Sequence, residues 1–227
     1  MKKAFTLLEI LIVIAIISIV CAIIFPIFKT AKINAYKTQS LSNIKQLGMA
    51  WKMYAEDNDE MMMRFWHNDK HWFGDEKSSI LNGYVNLKLL KDPGLKFYNI
   101  INPNYWTGYG YNGIYLSCCD ENYEIKDVNY SEINDPANTA VFSTTAGLFT
   151  VNKQENLYPM SLIYPPSYRF PTIHGRFNEK APILWADLHA SIKSISYFHL
   201  SNKYKILNLG FIDSDQNNNT DELFDLD

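Results

Sequence analysis

The pattern of apolar and polar positions divides the chain near residue 28. Residues 5–28, FTLLEILIVIAIISIVCAIIFPIF, form an apolar run preceded by Lys2 and Lys3. At about 1.5 Å per helical residue the run crosses a hydrocarbon core of about 30 Å, so it predicts a membrane-spanning helix. Pro26 removes one backbone donor and predicts a kink rather than an end, because helix-compatible residues continue past it. From Lys29 the pattern becomes amphipathic: Leu41, Ile44, Leu47, Trp51 and Tyr54 recur at spacings of three or four and share one helical face. Lys45, Lys52 and Glu56 fall off that face. One continuous helix is expected from about residue 5 to about residue 55, near 75 Å long, with its second half laid on a domain and its polar side outward.

Beyond an acidic helix end at 55–60, residues 61–94 carry no long period and close on the Pro93-Gly94 turn signal, so they are read as a variable loop with short helical turns. Runs rich in aromatic and β-branched residues at 95–101, 109–116 and 139–144 predict strands. Asp135-Pro136 starts a turn into the apolar Ala140-Val141-Phe142, and Tyr164-Pro165-Pro166 makes a stiff connection.

With 227 residues, the chain keeps enough length for one domain with a real core after the helix is set aside. Aromatics reach 15%, most of them Tyr and Phe, which suits an aromatic-rich β structure. The formal charge is -3, and loss of Lys2 and Lys3 takes it to -5, which disfavours nonspecific nucleic-acid binding. Of the three cysteines, Cys21 lies in the apolar run as a small apolar residue, while the adjacent Cys118 and Cys119 admit a vicinal disulfide, an interchain pair or two reduced thiols.

Glu9 does not belong in a spanning segment on hydropathy grounds, since an unpaired carboxylate there costs several kcal/mol. The nearest cation that chemistry can supply is an α-amino group, and a cut after Ala4 creates one on Phe5. Along a single helix that amine can meet the Glu9 of its own chain or, in a helical array with a suitable axial offset, the Glu9 of a neighbour. Ala4-Phe5-Thr6-Leu7-Leu8-Glu9, with the short basic leader and Pro26, resembles the processing site of type IV prepilins and type II secretion pseudopilins, with Ala4 where the usual pattern has Gly. The resemblance implies cleavage by a membrane prepilin peptidase, N-methylation of Phe5, and a helix that anchors first in the inner membrane and later in a fibre core. It implies as partners the prepilin peptidase, other pilin or pseudopilin subunits and an inner-membrane assembly platform, with the C-terminal domain in the periplasm or cell exterior.

Three further phrases are similar to a pilin-like subfamily that resembles major pseudopilins: QLGMAWKMYAEDN at 46–58, Tyr-Gly-Tyr-Asn at 109–112, and Asp135-Pro136 leading into its strand. In a fourth, His174 is followed by Asp187 and His189 where the subfamily has an Asp-Gly turn and a strand. The resemblance implies a hairpin there, with its turn changed at Leu188 because Leu, unlike Gly, pays for a positive φ.

Other candidate sites are weaker. His67 and His71 have the spacing of two ligands on one helical face, beside Asp59, Asp69 and Asp75, but a solvated polar loop accounts for them. Gly108, Gly110 and Gly113 lack the Lys-Ser/Thr ending of a phosphate loop. Asp187 and His189 are expected to stabilise a turn, and no catalytic residue is assigned. Asp213, Asp215, Asn217, Asn219 and Asp221 alternate as oxygen ligands do around Ca²⁺, with Asn218 at the sharp turn and Phe224 in place of a closing Glu. An acidic tail with no metal equally fits that composition.

The expected fold is α+β and pilin-like: a leader at 1–4, a transmembrane or fibre-core helix at 5–28, its amphipathic continuation at 29–57, and a β domain with long loops at 58–227 on an antiparallel sheet. The expected function is a structural subunit of a pseudopilus or pilus-like fibre, not an enzyme. The alternative is a membrane-anchored periplasmic binding or adhesion module that does not polymerise.

Overall fold

The computed structural model describes residues 6–74, 78–86, 90–95, 107–117, 127–151, 153–198, 200–213, 221–224 and 226. Helix α1, Leu7–Asp57, has 51 residues and is therefore about 75 Å long. It continues through Pro26, whose missing N–H deprives the Ala22 carbonyl of its helical donor. Every residue from Thr6 to Lys32 is exposed. From Ser40 onward one face is buried, comprising Ser40, Asn43, Ile44, Leu47, Gly48, Ala50, Trp51 and Ala55, with Leu41 and Tyr54 packed at its margin. The stripe expected from the spacing is thus the buried one. Lys52 departs from it, because its Nζ reaches Glu60 at 2.7 Å and lies 3.8 Å from the centroid of the Tyr130 ring.

After α1 come β1 (Trp66–His67), β2 (Lys70–His71), β3 (Tyr109–Tyr111), α2 (Gly113–Leu116), β4 (Ala140–Thr144), β5 (Gly147–Val151), β6 (Gln154–Tyr158), β7 (Ile173–His174), β8 (Lys180–Trp185), β9 (Ala190–Ser194), α3 (Asn202–Ile206) and β10 (Leu209–Gly210). The central sheet runs β3-β4-β8-β9 and is antiparallel throughout. Helix α1 lies against β8, β4 and β9. Gly48 permits this close approach, since a Cβ there would run into the Leu184 side chain. Between helix and sheet sits an aromatic core. Trp72 and Tyr111 each lie 5.2 Å from Phe142 by ring centroid, the Trp51 indole donates to the Tyr111 hydroxyl at 3.4 Å, and the Trp72 indole donates to the Ser161 carbonyl at 2.8 Å.

Several expectations need correction. The strand expected over 109–116 ends at Tyr111, and α2 follows. Asn112, wholly buried, donates to the carbonyls of Ala140 and Phe224 at 2.9 and 2.8 Å, which turns the chain out of the sheet. His67 and His71 lie on a hairpin rather than a helix: Trp66 is opposite His71 and His67 opposite Lys70, so side-chain alternation puts the two imidazoles on opposite faces. The β8–β9 hairpin exists as expected, but its turn is not rebuilt around Leu188. Leu188 itself takes φ 71, and packing of its side chain against the core offsets a cost of about 1–2 kcal/mol. Of the strand expected at 95–101, only Leu95 is described, and it is not in a strand. Asp75, Cys118 and Cys119 lie outside the described residues.

Candidate functional site

The first turn of α1 gathers the chemistry around Glu9. Thr6 is the N-cap with extended backbone angles, and its hydroxyl accepts from the Glu9 N–H at 3.2 Å. Glu9 Oε2 in turn accepts from the Thr6 N–H and the Thr6 hydroxyl, both at 2.8 Å. This is a reciprocal capping box, which satisfies donors that a helix start leaves orphaned. The signal stood in the sequence as Thr6-Leu7-Leu8-Glu9, and reading Glu9 only as a misplaced charge passed over it. The cap explains why a carboxylate is tolerated here in one chain, since an apolar surrounding offers orphan N–H groups no water. Ala4 and Phe5 lie outside the described residues.

Around and above Glu9 the helix presents an apolar surface on every side. Large apolar side chains from Leu7 to Phe28 are exposed, and Cys21 is exposed among them. A helix apolar all round must be covered by lipid or by other helices. By length and composition α1 can cross a membrane.

The base of the domain holds a second polar cluster that sequence reasoning missed. Arg176 and Asp92 form an ion pair at 2.9 Å with 4% and 0% of their side chains exposed. The same guanidinium donates to the Thr145 carbonyl at 2.7 Å and to His174 Nδ1 at 2.9 Å, and Asp92 also accepts from the Gly94 N–H at 2.7 Å. Burial pushes the Asp92 carboxyl up and the Arg176 guanidinium down, with their mutual attraction opposing both shifts. Burial, with the neighbouring Arg176 charge, pushes His174 down to about 3, so the imidazole is neutral and can accept from Arg176.

Asp187 and His189 are together and exposed: Asp187 Oδ1 accepts from the His189 N–H at 3.0 Å and lies 2.6 Å from His189 Nδ1. The His189 ring stacks on Trp185 at 5.6 Å. These contacts close the β8–β9 turn, while His174 belongs to the Arg176 cluster. Of the calcium candidates, Asp215, Asn217 and Asn219 lie outside the described residues, and Asp213 is half-buried. Asp221 is buried, and its carboxylate accepts from the Tyr115 hydroxyl at 2.6 Å, the Ser167 N–H at 3.0 Å and the Ser167 hydroxyl. Among the described residues no group of three or more His, Cys, Asp or Glu is placed to hold a metal ion.

A long N-terminal helix, apolar and exposed in its first half and packed on antiparallel sheet in its second, is an α+β layout consistent with a pilin-like fold. Residues 1–25 match the family model of the prokaryotic N-terminal methylation motif, the signature of type IV pilins and pseudopilins. The motif supports a pilin-like substrate of prepilin peptidase anchored in the inner membrane by its apolar N-terminal helix, and it points to a structural protein. No curated protein and no solved structure matches the chain.

Proposed function

We propose that this chain is a subunit of a type II secretion pseudopilus or a type IV pilus-like fibre. It is cut after Ala4 by prepilin peptidase, methylated on Phe5 and carried by an inner-membrane platform into a fibre with other subunits, its C-terminal domain facing the periplasm or exterior. The observation that supports this reading is the exposed apolar half of α1 carrying Glu9 at its start, within the methylation motif. Mass spectrometry of the membrane-extracted protein is expected to find an N-terminus at a methylated Phe5. Recovery of the intact 1–28 segment from a peptidase-competent host overturns the reading.

A second reading has its own observation. The capping box gives Glu9 a task inside one chain, as a membrane-anchored binding module that never polymerises would use it.

The acidic stretch 213–221 is proposed as a Ca²⁺ loop, with Asp213, Asp215, Asn217, Asn219 and Asp221 as oxygen donors. A cation offsets the repulsion of clustered carboxylates, and binding to the folded state alone stabilises it. The domain is expected to melt higher in millimolar Ca²⁺ than in chelator, and Asp213→Ala with Asp215→Ala is expected to abolish the difference. Identical melting of the unsubstituted protein in both conditions removes calcium from the account.

A further inference from the structure

Where α1 leaves its exposed apolar half and meets the domain, a pocket of about 520 Å³ opens between the helix and the strands. Lys29 and Lys32 line its helix side, and Asn156 and Asn208 line the domain side, the Asn156 amide donating to the Gln154 carbonyl at 3.5 Å and the Asn208 Oδ1 accepting from the Tyr197 hydroxyl at 3.5 Å. Ile33, Leu157 and Phe177 supply apolar wall. The charges do not balance. Glu155 also lines the pocket but is held by Lys203 at 2.8 Å, and Arg176 is paired with Asp92. Lys29 and Lys32 line the cavity with no carboxylate partner among the described residues, Lys32 Nζ lying 5.5 Å from the centroid of the Tyr36 ring that also lines it.

Depth decides what meets them. Phe28 ends the apolar run, so Lys29 and Lys32 lie about 1.5 and 6 Å beyond it along the helix axis. The headgroup layer of a bilayer is about 5–7 Å thick on each side of the hydrocarbon. With residues 7–28 in hydrocarbon, both ammonium groups and the pocket mouth sit among lipid phosphates, while the lysine stems and Ile33 lie along the apolar side.

We propose that this pocket binds the phosphate of an anionic phospholipid headgroup, with Lys29 and Lys32 on the phosphate oxygens and the Asn156 and Asn208 amides donating beside them. The proposal rests on the membrane anchoring of α1 and not on polymerisation: a chain that keeps its lipid but forms no fibre defeats the fibre reading and leaves this one standing. Free phosphate offers the same oxygens, and the experiment separates the two sources.

The full chain, extracted in mild detergent and supplied with phosphatidylglycerol, is expected to retain one such lipid in native mass spectrometry and to discriminate against phosphatidylcholine. Lys29→Gln with Lys32→Gln is expected to lower its occupancy about tenfold, because juxtamembrane lysines each contribute to anionic-lipid binding. Both side chains are exposed, so the fold is not at stake, and Lys45→Gln, exposed but outside the pocket, is expected to change nothing. Undiminished lipid in the double variant, an equal loss in Lys45→Gln, or equal retention of phosphatidylcholine overturns the proposal. So does complete displacement of the lipid by millimolar inorganic phosphate, which assigns the pocket to a free anion.

Discussion

Glu9→Gln is expected to insert in the membrane and cap its helix normally, yet to lower incorporation into fibres by about two orders of magnitude when it is the sole copy. Gln at the third helical position still reaches back to the N-cap N–H, so the capping box seen between Thr6 and Glu9 survives. What the substitution removes is the charge. In a fibre core the Phe5 amine of a processed chain then has no carboxylate, and leaving one partner of a buried pair unanswered costs about 3–5 kcal/mol. Glu9→Leu removes cap and charge together and should do no better. Quantifying sheared fibres against total membrane-inserted subunit checks both. If Glu9→Gln assembles like the parent while Glu9→Leu does not, Glu9 serves assembly as a helix cap and the charge-pair argument falls.

Asp92→Ala is expected to destabilise the domain by about 3–5 kcal/mol, because it strands the buried guanidinium of Arg176. Replacing both partners, Asp92→Leu with Arg176→Met, should restore most of that loss, since no charge is then left in the interior. Arg176→Lys is no substitute. One guanidinium reaches Asp92, His174 and the Thr145 carbonyl at once, and an ammonium cannot reproduce that planar fork. Denaturant midpoints of the single and double variants measure this, and additive losses would refute the pairing argument. The same cluster sets a pH response. His174 falls from the ordinary 6.5 to about 3 in the folded chain, so below 6.5 the unfolded state takes up a proton that the folded state refuses. Stability contributed here is therefore complete above pH 6.5 and is lost progressively as pH falls toward 3. His174→Gln should flatten that part of the profile.

The parts of the fold legible in the sequence are those written in local spacing. Leu41 to Tyr54 recur at helical intervals and pack as one stripe, and the apolar run to Phe28 needs only its length to be read. Ala140-Val141-Phe142, between a turn signal and polar residues, is the buried strand it resembles. What stayed hidden depends on distant partners. Asp92 and Arg176 are 84 residues apart, and neither stands in a pattern that marks it as buried. Asn112 ends a strand that its aromatic neighbours would extend, because its amide serves carbonyls far along the chain. His67 and His71 have helical spacing, yet Asn68 and Asp69 take left-handed angles that fold the segment into a hairpin. Thr6-x-x-Glu9 is equally local, a capping-box spacing legible from four consecutive residues.

The bond from Asn112 to the Phe224 carbonyl spans 112 residues, and the Phe224 ring has no exposed surface. A nascent chain that has not reached Phe224 cannot close this core, although α1 was synthesised first. Closure of so long a loop comes late and slowly. Through that interval the apolar half of α1 exists without a finished domain, and sticky intermediates of this kind aggregate in water. The finished domain leaves that half exposed as well, so only lipid or other helices can cover it, before closure and after.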